Sequence, residues 1–448
     1  MGDTRELLLP RWIVPVRPEG LVLEAHGLLI EDGAIAELAP AAELLEAHPE
    51  VTTTRLPDHA LMPGLVNIHT HSAMALMRGL ADDLPLMRWL EDHIWPTEQR
   101  WVGAEFVRVG TELALAEMIR GGTTCFNDNY FFPDVTAVAA DQAGMRAAIG
   151  IPIISVPTAW AQTEDEYFRR GLDMHQQLHD FPLVSSAFAP HAPYTVTDKA
   201  FERIRSLAEE MDIPVHLHLL ETAGEIQLSH DEFGMAPLDR MDALGLLTDR
   251  LLAVHMTQLD DPDIARLARR GVHVLHCPAS NLKLASGTCR VADLDAAGVN
   301  VAIGTDGAAS NNTLDMFAET RLAALVAKGA SGNPEAVPAE RALSMATING
   351  ARALGQHDRF GSIEPGKRAD LAAVDLSAME TAPVHHVISH LVYAASRHQV
   401  SDVWIDGRRV LERGALTTID AERTARETEQ WGRRLLESDR RSAGTSNP

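Results

Sequence analysis

A chain of 448 residues, 46% of them hydrophobic and with mean hydropathy −0.08, carries enough apolar material for a large core with a smaller domain attached. Its 39 basic residues against 63 acidic ones give a net charge of −24, which argues against nucleic acid or an anionic membrane as the main partner, since both need a basic face. Three scattered cysteines, Cys125, Cys277 and Cys289, exclude a disulfide framework or a cysteine-based zinc site. With no basic-then-apolar leader and no apolar run near the ~18 residues of a membrane span, the reading is a soluble, cytoplasmic protein.

Residues 1–62 hold short alternating segments, Trp12-Ile13-Val14 and Leu21-Val22-Leu23, broken by glycine and proline. They read as strands without a core of their own size. From residue 63 to about 360 the pattern turns to strand and helix in alternation, with strands beginning near Leu65, Thr123, Ala147, Leu183, Pro214, Leu251, Val272 and Val299. One helix spans Ala104–Arg120 and stops at Gly121-Gly122, and another opens with Asp261 as N-cap and Pro262 at its first position. Eight strands with crossovers make a (β/α)8 TIM-like barrel, whose chemistry sits at the strand C-terminal ends. A doubly wound open sheet would want a glycine-rich phosphate turn after the first strand, and Leu65–Ser72 has none. The strand texture returns in Gly361-Ser362-Ile363, Leu371-Ala372-Ala373-Val374 and Val403-Trp404-Ile405. Residues 1–62 and 361–448 are therefore expected to form one small composite β-sandwich domain, with a charged helix over about Ala421–Glu437 and a disordered ending from Ser442.

Polar, metal-capable residues collect where the barrel strands end. The first strand, Leu65-Val66-Asn67-Ile68-His69-Thr70-His71, puts His69 and His71 on one face, roughly 7 Å apart at ~3.3 Å per residue. Strand four runs into His191, strand five carries His216 and His218 with Glu221 just beyond, strand six ends on His255 and strand eight on Asp306. A buried aspartate after an apolar strand is costly unless it is paired or binds metal. This mixed histidine and carboxylate set suits one divalent ion, zinc with Fe(II) or Mn as alternatives. His216 reads as barrel filling, and strand four offers no lysine to bridge two metals. His175 and His179 have zincin spacing without the glutamate, so they read as an exposed helix face. The cysteine-histidine deaminase signature is absent, and His385, His386, His390 and His398 fall outside the barrel.

These residues resemble the amidohydrolase superfamily across nearly the whole chain, through the first strand, His218-Leu219-Leu220-Glu221, His255, Gly304-Thr305-Asp306-Gly307 and the late Gly366-Lys367-Arg368-Ala369-Asp370-Leu371. Within it the chain is similar to the 5′-methylthioadenosine/S-adenosylhomocysteine deaminases. The stretches that carry this are Met77-Arg78-Gly79-Leu80-Ala81-Asp82-Asp83-Leu84, Trp95-Pro96-Thr97-Glu98, Pro278-Ala279-Ser280-Asn281-Leu282-Lys283 and Asp306 to Asn312.

The resemblance implies metal ligands His69, His71, His218 and Asp306, with one zinc ion per subunit (Fe2+ or Mn2+ as alternatives). It implies Glu221 as proton shuttle, His255 orienting the attacking water, and Asp306 accepting its proton. Glu98 and His191 would contact a nucleoside, with Trp89 a wall of the pocket and Ser310 a further contact. The implied reaction is hydrolysis of 5′-methylthioadenosine to the inosine analogue and ammonia, or the same step on adenosine or S-adenosylhomocysteine, in a homo-oligomer. A triazine chlorohydrolase or guanine-type aminohydrolase on the same metal site is the alternative. Gly150 stands where relatives that accept S-adenosylhomocysteine carry an arginine near the end of strand three. Arg169 and Arg170 are its candidate substitutes, and the departure favours methylthioadenosine or adenosine.

Overall fold

The computed structural model describes residues 5–444. Eight parallel strands run in chain order around a barrel: β1 (Leu65–Thr70), β2 (Thr123–Asp128), β3 (Arg146–Ile153), β4 (Val184–Pro190), β5 (Val215–Leu219), β6 (Leu251–His255), β7 (His273–His276) and β8 (Val301–Ile303). Nearly every strand residue is buried, because helices cover one face and the barrel interior the other, and this is why the strands read as near-continuous apolar runs.

The seam between β8 and β1 is closed by side chains as well as backbone. Asp306 N–H donates to the His69 carbonyl at 3.0 Å. The Asn67 amide clamps Thr305 on both sides, accepting from its N–H at 2.9 Å and donating to its hydroxyl at 2.8 Å. Gly304 is required here, since a Cβ at that position would lie 2.7 Å from the His69 nitrogen. The closed ring removes the open-sheet alternative.

Both chain ends meet in a single nine-stranded sheet. Its long strand Thr52–Pro63 lies parallel to Arg5–Ile13 and antiparallel to Leu371–Asp375, then passes through Gly64 directly into β1. Leu8, Ile13, Leu28, Leu61, Leu371 and Trp404 give this sheet a core separate from the barrel's. A buried ion pair ties the two together. Arg146, first residue of β3, donates Nε and Nη2 to Asp370 at 2.7 and 3.0 Å, with both side chains almost wholly buried. Asp370→Ala leaves the buried Arg146 only its longer contact to Asp406, Nη2 to Oδ1 at 3.3 Å, and is expected to cost about 3–5 kcal/mol. A denaturation midpoint that does not move would show that Arg146 finds another partner.

The helix Ala104–Arg120 ends at Gly121 as the sequence predicts. The helix expected to start after Asp261 instead spans Asp261–Arg270 with Asp260 as N-cap, because the Asp260 side chain accepts from the Asp263 N–H and closes a capping box. The C-terminal helix runs Ala421–Gly444, beyond the expected Glu437. Ion pairs four residues apart, such as Arg426–Glu422 and Arg433–Glu429, support a helix that no proline interrupts. Of the expected disordered ending, 442–444 continue this helix and 445–448 lie outside the described residues. Between β1 and Ala104 the chain makes a turn of 3-10 helix (Ser72–Met77) and three short helical pieces, Leu86–Trp89, Leu90–Ile94 and Trp95–Trp101. These pack in their own apolar cluster, which includes Trp89, Ile94, Tyr130, Ala309 and, from the C-terminal helix, Trp431. No helix among the described residues is long and apolar enough to cross a membrane.

Candidate metal centre and active site

Four side chains gather around His69, and with it they come from four strand ends. Its ring lies 4.8 Å from that of His71, 4.9 Å from His218 and 5.8 Å from His255, centroid to centroid. Asp306 Oδ1 stands 3.3 Å from Nε2 of both His69 and His71. Two trios have donor atoms within 4.8 Å of one another, His69–His71–Asp306 and His69–His218–His255, so His69 belongs to both.

The hydrogen bonds behind these rings decide what they present in front. His71 turns Nδ1 to the Asn129 carbonyl, His218 to the His191 carbonyl at 2.7 Å, and His255 to Asn281 Oδ1 at 2.8 Å. A carbonyl oxygen only accepts, so each Nδ1 carries the hydrogen and each Nε2 keeps its lone pair. His69 Nδ1 meets His216 Nε2 at 2.8 Å, and His69 Nε2 is buried without a hydrogen-bond partner. His216 is thus both barrel filling and the group that holds the His69 ring. Burial pushes His69 down to about 4 and His218 well below the usual imidazole range, which keeps both neutral, the form that binds a cation. Burial works to raise the Asp306 carboxyl, but the close approach of the His69, His71 and His255 imidazoles holds it well below the usual range. An orphaned buried nitrogen, converging imidazole lone pairs and an ionised carboxylate form a donor set that fits a divalent metal ion.

The backbone at these strand ends is bent to aim the side chains. Leu220, His255, Met256 and Asp306 all have positive φ, at 51°, 74°, 46° and 63°. Such conformations are costly for non-glycine residues and persist where the surroundings enforce them. After β5, Glu225 does the enforcing: its buried carboxylate accepts from the N–H groups of Leu220 and Glu221, each at 2.9 Å. Beyond β8, Asp306 is fixed at both oxygens, Oδ2 by the Ser280 hydroxyl at 2.6 Å and Oδ1 by the Gly307 N–H at 2.7 Å. At the end of β2, Asp128 accepts from the Thr70 hydroxyl and the Ser72 N–H and so sets the turn that follows His71. Glu225, Ser280, Asn281 and Asp128 were not singled out from the sequence. Ser280 and Asn281 lie in a stretch quoted only for resemblance, and Glu225 is signalled by a carboxylate in the first turn of the helix after β5.

Glu221 is buried, and its Oε1 lies 3.8 Å from His255 Nε2. Desolvation raises its carboxyl, the His255 charge opposes, and the Asp306 charge adds to the rise. Glu98, on Trp95–Trp101, accepts from the Tyr130 hydroxyl at 2.8 Å, and burial pushes it up to about 7. His191 presents its ring 5.4 Å from that of His218 and bonds Thr195 Oγ1 at 3.0 Å; burial lowers it to about 4. Trp89 is buried and donates Nε1 to the Ala81 carbonyl at 3.1 Å, which pins the loop before it. Ser310 is buried, with its hydroxyl donating to the Gly307 carbonyl at 3.1 Å.

Gly150 lies inside β3, which ends at Ile153, and a Cβ there would meet the Asp128 carbonyl at 2.6 Å and Ala189 at 2.7 Å, so no side chain fits. Arg169 and Arg170 sit on the helix Glu164–Gln177, the first exposed and paired with Asp173, the second half-buried and paired with Glu166. His175, on the same helix, is half-buried against Ser186 at 2.7 Å rather than exposed.

Residues 60–410 match the amidohydrolase family. A curated relative from Teredinibacter turnerae named 5-methylthioadenosine/S-adenosylhomocysteine deaminase is 49% identical over 95% of this chain and 96% of its own. The crystal structure of an adenosine deaminase from Xanthomonas campestris with bound zinc is 54% identical, covers 96% of this chain and 98% of its own, and superposes with a TM-score of 0.94. The zinc complex of atrazine chlorohydrolase TrzN from Arthrobacter aurescens is more distant, 25% identical over 95% of this chain and all of its own, with a TM-score of 0.89. The chain belongs to the amidohydrolase family, among its 5-methylthioadenosine/S-adenosylhomocysteine deaminases.

Proposed function

We propose that this enzyme hydrolytically deaminates an adenine nucleoside thioether, 5′-methylthioadenosine foremost, to the inosine analogue with release of ammonia. The observation that carries this is Glu221, a buried carboxyl of raised pKa beside the His69–Asp306 cluster. The names of the relatives point the same way.

His69, His71, His218 and Asp306 would hold one divalent ion, and zinc is favoured by the neutral imidazole donors and by the zinc found in the Xanthomonas protein. Such an ion supplies Lewis acidity that lowers the pKa of water from ~15.7 towards ~7. Asp306, held ionised, takes the proton of the attacking water. Glu221, protonated more readily than an exposed glutamate, gives its proton to the purine ring nitrogen as C6 becomes tetrahedral and recovers one from the C6 hydroxyl as the carbonyl forms, while the proton held by Asp306 passes to the amine, which departs as ammonia. His255, its Nδ1 committed to Asn281, turns Nε2 towards Glu221 and orients the water between them. Glu98 and His191 contact the nucleoside, Trp89 backs the pocket, and Ser310 shapes the turn beneath it.

The loop of residues 154–163 after β3 contains no arginine to receive an amino-acid carboxylate, and Arg169 and Arg170 are engaged elsewhere. Methylthioadenosine and adenosine are therefore favoured over S-adenosylhomocysteine. A substrate panel with ammonia detection tests this. Turnover of methylthioadenosine with a clearly lower kcat/KM for S-adenosylhomocysteine is expected; chloride release from a halogenated triazine with no ammonia from any adenosine analogue would overturn the reading.

A further inference from the structure

Tyr130 belongs to none of the motifs that mark the metal centre, yet it stands beside one proposed ligand and bonds the carboxylate of Glu98. It follows Asn129, whose carbonyl takes the Nδ1 hydrogen of His71, and its ring lies 6.4 Å from the His71 ring. The ring is buried in the apolar cluster with Trp89, Leu284 and Ala309, while the hydroxyl donates to Glu98 Oε1 at 2.8 Å.

Glu98 rides on a seven-residue helix none of whose side chains is fully buried, so packing alone constrains its carboxylate weakly. We propose that Tyr130 is a positioning residue for substrate binding: its hydroxyl fixes one oxygen of Glu98 and so presents the other to a hydroxyl donor of the nucleoside. An ionised carboxylate accepts at both oxygens, and with Oε1 tied to the phenol, Oε2 is left for the ligand. The same hydrogen bond opposes the rise that burial imposes on Glu98, and so favours its accepting form. Pre-setting a long side chain before the ligand arrives removes part of the ordering cost of binding. The bond also joins Glu98, on the segment between β1 and Ala104, to the loop after β2 that orients His71, so the nucleoside's sugar and its reacting ring are held in register.

This inference rests on Glu98 being a nucleoside contact, and a double-mutant cycle separates the two ideas. Tyr130→Phe removes one oxygen and keeps the packed ring. It is expected to raise KM about tenfold, as for loss of a hydrogen bond to a charged group, with kcat changed by less than about twofold and metal content unchanged. In a Glu98→Ala background, where KM is already raised, the same change is expected to add nothing. Tyr130→Phe that leaves KM as it was, or that raises KM equally in both backgrounds, overturns the role of Tyr130 alone. A Glu98→Ala variant with parental KM overturns both that role and the assignment of Glu98 to the substrate.

Discussion

Glu221→Gln is expected to lower kcat by at least the ~10² to 10⁴ that a positioned acid–base group contributes, with the metal still bound. The glutamine has the same shape and cannot move a proton. The chain around it has no reason to shift, because the turn is held by Glu225 through the Leu220 and Glu221 backbone N–H groups rather than by the Glu221 side chain. None of the four proposed ligands depends on Glu221 for its orientation either. The His218 ring is set by the His191 carbonyl, and Asp306 by Ser280 and Gly307. Activity and metal content should therefore separate cleanly, turnover gone and the ion retained. A variant within about tenfold of the parent in ammonia release would take proton transfer away from Glu221 and leave it a spacer beside His255.

Much of the frame was legible because its physics is periodic. Leu65, Thr123 and Leu251 open barrel strands as expected, and the other five begin within two residues of their expected positions. Strands buried on both faces leave an unbroken apolar run that has only two ends. The capping residue of the helix at Asp261 was misplaced by one position, since Asp260 and Asp261 offer the same side chain and only the closed capping box distinguishes them.

At the site, the sequence named side chains that face inwards, and the structure gathers His69, His71, His218, His255 and Asp306 from strands more than two hundred positions apart. It could not name the groups behind them. His71 and His218 are oriented by backbone carbonyls, which no residue type advertises, and His255 by an asparagine on the short helix Pro278–Lys283 after β7. The arginine position was less legible for a related reason: counting along a strand does not say where the strand stops, and Gly150 is a point of close backbone approach three residues short of the end of β3.

Removing Asp306 should abolish metal binding and turnover together. Its carboxylate carries the negative charge that faces His69 and His71 at 3.3 Å, and it is held there by two hydrogen bonds of its own. In Asp306→Ala the imidazoles still converge, but they lose both an anionic ligand and the proposed acceptor for the proton of water. The parent, stripped with a chelator, should lose activity, regain it on addition of zinc, and melt at a higher temperature with zinc than without, since a ligand that binds only the folded chain stabilises it by mass action. Asp306→Ala should show neither the recovery nor the zinc-dependent rise in melting temperature. Ser280→Ala tests the same arrangement more gently. With Asp306 kept but freed at Oδ2, zinc affinity should weaken by the ~10- to 100-fold typical of groups that hold a metal ligand in place, while kcat at saturating zinc survives. An Asp306→Ala protein that still melts higher with zinc would place the ion on His69, His218 and His255 alone, the second of the two trios, and Asp306 would then act on water without holding the metal.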